Sequence, residues 1–221
     1  MPTTLNDAET RVLGSLVEKQ ITTPEYYPLT LNSLTLACNQ KNNRNPVTSY
    51  NEETVSQALE TLREKNLVYV FYGSTSRVPK YKHVMQEVMH LSQAEMAIMC
   101  VLMLRGTQTP GELRGNGSRL YGFSSLEEVE QALNSLISRE PEPLVARLPR
   151  QPGQKEVRFA HLLSGALDVD ALVETTPTPR SISPRRNESD RVEKLEQEIA
   201  ALKAEIQSLQ HQFEEFKKQF E

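Results

Sequence analysis

"LNDAETRVLGSL", residues 5–16, returns as "LSQAEMAIMCVL", residues 91–102. At this offset of 86, Leu5, Ala8, Glu9 and Leu16 fall on Leu91, Ala94, Glu95 and Leu102, and Thr23-Pro24 falls on Thr109-Pro110. A second match follows at an offset of 74, between "VSQALETL" (55–62) and "VEQALNSL" (129–136). Both copies then run through an apolar segment, a polar turn and a second segment that ends in histidine: "LVYVFYGSTSRVPKYKH" (67–83) and "LVARLPRQPGQKEVRFAH" (144–161). A series of matches in the same order marks an internal duplication.

Each copy reads helix, helix, helix, hairpin. Asn6-x-x-Glu9 and Ser92-x-x-Glu95 have the form of capping boxes, in which each residue satisfies the other's free backbone N–H. Leu5, Val12, Leu16 and Leu91, Ile98, Leu102 then recur at helical spacing. The second helix is expected over Leu31 to Cys38 in copy one. In copy two it starts at Thr109-Pro110, a cap followed by Pro at the first helical position. Val55, Leu59, Leu62 and Val129, Leu133, Leu136 mark the third helices. Strands over Leu67 to Phe71 and Lys80 to Val84 flank a turn at Gly73. Three helices with a trailing hairpin is the order of a winged helix. The expected fold is mainly α with small β-hairpins (α+β): winged-helix domains at 1–86 and 87–163, a Pro/Ser/Thr/Arg linker at 164–189 and a coiled-coil helix at 190–221.

"LACNQKNNRNPV" (36–47), "TPGELRG" (109–115) and "LPRQPGQKEVRFAHLL" (148–163) resemble the YceH-like family of uncharacterised bacterial proteins. The resemblance covers roughly residues 1 to 175. It implies a pair of winged-helix domains and brings no activity with it.

The linker is read from "TTPTPRSISPRR" (175–186). Beyond it, Val192, Leu195, Ile199, Leu202, Ile206, Leu209, Phe213, Phe216 and Phe220 alternate spacings of three and four. This is an a/d seam, narrower than the apolar stripe of a helix packed on its own domain. Val and Ile at a with Leu at d favour a parallel pair. In that pair Arg191 faces the second copy's Glu196 and Glu198 faces its Lys203, whereas an antiparallel pair opposes Glu198 with Glu205. A parallel homodimer is expected, with Val192 to Phe216 as its seam.

The net charge of −4 argues against a strongly basic nucleic-acid binder but leaves room for local patches. Both third helices are acidic: Glu52, Glu53, Glu60 and Glu64 in one, Glu127, Glu128, Glu130 and Glu140 in the other, against Arg63, Lys65 and Arg139. Carboxylates repel phosphates, so insertion of these helices into a groove is disfavoured. The wings are better candidates: Arg77, Lys80 and Lys82 with Tyr72 and Tyr81, and Arg147, Arg150, Lys155 and Arg158. Basic residues also keep exposed sheet edges soluble, so that alternative stands beside the functional one. Double-stranded DNA and a second protein are the two candidate partners, since winged helices serve both roles.

Catalytic and cofactor motifs are missing from the chain. "GNGS" (115–118) lacks a preceding strand and the lysine of a phosphate loop, so a turn between helices is expected. No metal-ligand cluster is evident. His83 and His161 end equivalent strands, which suggests a structural hydrogen bond. Cys38 and Cys100, with no CxxC spacing, read as buried thiols of a cytoplasmic protein. The N-terminus lacks a signal-peptide pattern, and the apolar run Met96 to Leu104 falls short of the roughly 20 residues a membrane span needs.

The connection from second to third helix differs between the copies. Between the Thr-Pro anchor and the third helix the first copy is longer by twelve residues, the difference between the two offsets. If Thr23 matches Thr109, all twelve enter after that anchor; if Thr30 does, seven enter before it and five after. Either way "CNQKNNRNPV" (38–47) lies in this connection. Asn39, Gln40, Asn42 and Asn43 have the chemistry to read adenine edges, and Lys41 and Arg44 to hold phosphate. The same residues suit a loop whose side chains cap its own backbone and accept left-handed turns.

Overall fold

The computed structural model describes residues 4–72, 78–150 and 156–165. All fall within one compact unit, Met1–Val169, and the two repeats share one hydrophobic core. The fold is mixed α+β, with seven α-helices among the described residues and small antiparallel sheets. The linker beyond Gly165 and the coiled-coil residues Val192, Leu195, Ile199, Leu202, Ile206, Leu209, Phe213 and Phe216 lie outside the described residues.

Helix α1 (Asp7–Thr22) opens on the expected capping box: Asn6 Oδ1 accepts from Glu9 N, and Glu9 Oε2 accepts from Asn6 N, both at 2.8 Å. Helix α5 (Gln93–Arg105) repeats the device with Ser92 and Glu95. Helix α2 (Leu31–Cys38) is capped by Thr30, and its counterpart α6 (Pro110–Gly117) by Thr109. Thr30 is therefore the equivalent of Thr109, while Thr23-Pro24 heads a short 3-10 turn instead. Helices α3 (Glu52–Glu64) and α7 (Leu126–Ile137) bury Val55, Leu59, Leu62 and Val129, Leu133, Leu136, respectively.

Each repeat ends in the expected hairpin: β2 (Val68–Phe71) with β3 (Lys80–His83), and β4 (Val145–Arg147) with β5 (Phe159–His161). A strand missed in the sequence, β1 (Leu29–Thr30), joins the first hairpin in the order β1-β3-β2. Two residues are too few to show a period of two. The second repeat forms the same contact as a bridge from Gln108 to Phe159. A further short helix, α4 (Met85–Val88), links the repeats. The sequence "GNGS" is not a turn, since Gly115 to Gly117 form the last turn of α6. Gly117 is buried, and a Cβ there would stand 3.4 Å from the Phe123 ring, so packing overrides glycine's poor helix propensity.

Helix α5 is buried on every side from Glu95 to Leu104. A helix apolar all round belongs in a protein centre when it is too short to span a bilayer. Among the described residues no helix is long and apolar enough to cross a membrane. Helix α1 packs along α5. Gly14 makes the approach close, because a Cβ there meets Leu104 Cδ2 at 3.0 Å and Met103 Cβ at 3.2 Å. Cys38 and Cys100 are free and buried in this core, and burial pushes the Cys38 thiol up to about 11.

Candidate nucleic-acid interface

The Asn-rich stretch folds as a capped loop. Asn39 Nδ2 donates to Tyr50 O at 2.7 Å and Asn39 Oδ1 accepts from Tyr50 N at 2.8 Å, which ties the two ends of the connection together. Asn43 adopts a left-handed φ of 59°, a conformation that Asn tolerates better than most residues. Asn45 N donates to Leu104 O at 2.9 Å and so caps the end of α5 in the other repeat.

Arg44 points inward. Its side chain is 0% exposed and pairs with Glu18 at 2.6 Å. Further bonds run to the carbonyls of Ala37 and Asn43 and to Gln40 Oε1. The charge is thereby spent on α1 and on the C-terminal turn of α2. Arg11, also buried, donates to Pro46 O at 2.6 Å from the same side of the loop. Of the polar candidates in the stretch Lys41 and Asn42 are exposed and Asn39, Gln40 and Asn43 half-buried, while Asn45, Pro46 and Val47 are exposed beyond them.

The first wing presents a mixed face. Tyr69 lies opposite Lys82 and Phe71 opposite Lys80 in the β2–β3 register. Alternate residues of a strand share a face, so the two aromatics and two lysines form one patch. Tyr69 is 53% and Phe71 49% exposed, and Lys82 is exposed as well. Neither Lys80 nor Lys82 has an ion pair among the described residues. In the second repeat Arg147 and Arg150 are exposed, whereas Arg158 forms a two-pronged pair with Glu112, the carboxylate of the α6 capping box. Arg77 and Lys155 lie outside the described residues. The fold thus brings Lys80 and Lys82 together with two aromatic rings and turns Arg44 and Arg158 to internal ties.

The third helices keep their acidic surface. Glu52, Glu53, Glu60 and Glu64 are exposed on α3, as are Glu127 and Glu130 on α7. Lys65 does not offset them, because its Nζ is held by Glu9 at 2.7 Å. Arg139 donates to the Met89 carbonyl. Glu128 accepts from Tyr121 Oη and from Ser124, which fastens the loop before α7 and holds its carboxyl below the usual range.

The two strand-end histidines differ from the expected pattern. Neither ring nitrogen of His83, nor Nδ1 of His161, makes a hydrogen bond among the described residues. It is the His83 backbone N–H that is bonded, to Tyr27 Oη at 2.7 Å. Burial lowers both imidazoles to about 4, so both are neutral at ordinary pH. No group of three His, Cys, Asp or Glu among the described residues is arranged to hold a metal.

Three cations escaped the sequence reading: Lys19, Arg105 and Arg119. They gather with Lys41 around a hollow between the Asn-rich loop and the ends of α1, α5 and α6. The repeat offset held a signal, since Lys19 and Arg105 are equivalent positions and both are basic.

These features define a duplicated helix-and-hairpin protein with basic surface loops. Residues 5–154 match the family described as "Protein of unknown function, DUF480". Over 217 residues the chain is 50% identical to a "UPF0502 protein" of Geobacter sulfurreducens, covering 98% of each. A UPF0502 protein of Opitutus terrae is 51% identical over 199 residues, 90% of this chain and 83% of its own. One from Enterobacter is 47% identical over 211 residues, 93% and 95% of the two chains. The chain belongs to this DUF480/UPF0502 family of uncharacterised bacterial proteins.

Proposed function

We propose that this chain is a YceH-like, cytoplasmic tandem winged-helix protein that associates with double-stranded DNA in a regulatory role, without catalysing a reaction. The first wing carries the reading. Tyr69 and Phe71 interleaved with Lys80 and Lys82 supply apolar contact and phosphate neutralisation on one exposed face. Lys41 and Asn42 of the Asn-rich loop extend the contact, and Arg147 and Arg150 provide the second wing's share. The acidic faces of α3 and α7 argue for wing-led contact over groove insertion. Residues 190–221 form the parallel coiled coil that makes the protein a homodimer, placing two such surfaces in one particle.

Electrophoretic mobility of a random duplex at low and rising salt tests the reading. The expected result is a shift that fades with salt and weakens in a Lys80→Ala/Lys82→Ala variant. An absence of any shift at low salt rules it out. Truncation after Arg186 tests the coil, with mass in solution expected to halve; an unchanged mass removes its role.

The exposed carboxylates of α3 favour one second reading, a scaffold that binds another protein through the acidic helix faces. Its mark is a partner retained from native extract after nuclease treatment and lost when Glu60 and Glu64 are changed to Gln.

A further inference from the structure

The junction of the two repeats holds a cleft whose charge is opposite to that of the chain. Two adjoining hollows, of about 170 and about 320 Å³, share Glu18, Thr22, Asn43 and Arg119 in their walls. Around them stand four cations from four separate elements: Lys19 near the end of α1, Lys41 in the Asn-rich loop, Arg105 at the end of α5 and Arg119 just past α6. None of the four makes an ion pair among the described residues. The single carboxylate among the described lining residues, Glu18, is already committed to Arg44 at 2.6 Å. In a chain of net charge −4, this leaves a local excess of about four positive charges.

Helix dipoles account for only part of the arrangement. Lys19 and Arg105 lie in last turns, where cations complement the helix C-terminus. Lys41 and Arg119 are on no helix, and both are exposed. Several of the helix-end carbonyls that would repel an anion are occupied. Thr23 N and Oγ1 both donate to Lys19 O, Thr22 Oγ1 donates to Glu18 O, and Asn45 N donates to Leu104 O. Amide side chains of Asn43 and Asn116 add neutral hydrogen-bonding groups to the walls.

We propose that this cleft binds a small phosphate-bearing compound, held by Lys41 and Arg119 from opposite repeats with Lys19 and Arg105 behind them. No wing residue lines the cleft, and of its four cations only Lys41 also belongs to the DNA reading. A concave site of a few hundred Å³ suits a small ligand. A duplex is convex and broad, and a flat or protruding surface suits it better. Because the walls come from both repeats, the bound compound would fasten one repeat to the other.

Isothermal titration of the full-length protein with pyrophosphate, at low ionic strength and without DNA, tests the cleft. The wild type is expected to show saturable binding. A Lys41→Ala/Arg119→Ala variant should bind at least about tenfold more weakly, the loss of one or more charge-assisted bonds. Both residues are exposed, so the variant should keep its helical circular dichroism and melting temperature; Lys41→Gln alone, with a smaller loss, repeats the test if it does not. Lys82→Ala, on the wing, should bind as the wild type does. Two results overturn the proposal: no saturable heat with the wild type, or an equal loss in Lys82→Ala. A failed DNA shift leaves this experiment untouched, so the two readings fail separately.

Discussion

Gly14 and Cys100 occupy the same position in the two repeats, and they touch: the Cys100 thiol donates to the Gly14 carbonyl at 3.5 Å. Equivalent residues meet in this way where two copies pack through the same surface, as in an isologous dimer. The reciprocal contacts agree. Gly14 packs against Met103 and Leu104, and the charge of Glu18, the equivalent of Leu104, is felt at Cys100. The duplication therefore folds as an internal pseudo-dimer with the helix pair α1–α5 at its centre.

Gly14 is where that pairing is tightest. A Gly14→Leu substitution gains helix propensity but drives a side chain into Leu104 and Met103, at Cβ distances of 3.0 and 3.2 Å before any further atoms. Overpacking of this kind costs about 1–3 kcal/mol. Urea unfolding should show a midpoint lowered accordingly, with the slope unchanged.

Arg44 and Lys41 should separate sharply although three residues apart. Arg44→Ala leaves the Glu18 carboxylate, with a side chain only 11% exposed, without its partner. Breaking a buried pair on one side costs about 3–5 kcal/mol. Adding Glu18→Leu should recover part of the loss, which a double-mutant cycle by thermal unfolding will measure. Lys41→Ala should leave stability within about 0.5 kcal/mol, as for exposed positions generally.

Acid should destabilise the fold through His83. Its imidazole is 3% exposed, lacks a hydrogen bond to either ring nitrogen among the described residues, and is lowered from 6.5 to about 4. The unfolded chain thus binds a proton between those values that the folded chain does not. The contribution is complete above pH 6.5 and is lost as pH falls toward 4, about 3 kcal/mol in all. His83→Phe, which keeps a ring but cannot titrate, should remove about half of the two buried histidines' combined loss over that interval, the other half belonging to His161. An unchanged profile assigns the acid sensitivity elsewhere.

The wing lysines predict a number for DNA. Each phosphate neutralised contributes about −0.9 to the slope of log affinity against log salt. Lys80→Ala/Lys82→Ala should make that slope shallower by about two such increments, measured by fluorescence anisotropy with a labelled duplex. Tyr69→Ala should weaken binding with no change of slope, since a ring releases no counterions.

The features legible in the chain are those whose partners are close along it. Asn6 with Glu9, Ser92 with Glu95, and Thr109 with Glu112 are three residues apart, so a helix start is written within one turn of sequence. The i, i+4, i+7 spacing of Val55, Leu59 and Leu62 likewise declares its buried face before any partner is known. Comparing one copy with the other extended this reach to the whole order of elements. The two-residue strand β1 escaped because so short a segment has no period of its own.

Tertiary structure decided which polar residues are surface and which are interior. The sequence sets Arg44 beside Lys41 as an equal candidate; Glu18, twenty-six positions earlier, draws it into the core. Arg158 stands among the wing cations until Glu112 claims it from a helix forty-six residues away. The Asn-rich stretch shows both halves of the division. Its capping and left-handed turn were legible as composition. Its placement against α5, and the cluster of Lys19, Lys41, Arg105 and Arg119 beside it, arise only when two copies pack face to face. A lone charge in water carries little record of its partner. The energy of burial chooses that partner only once the chain has closed around it.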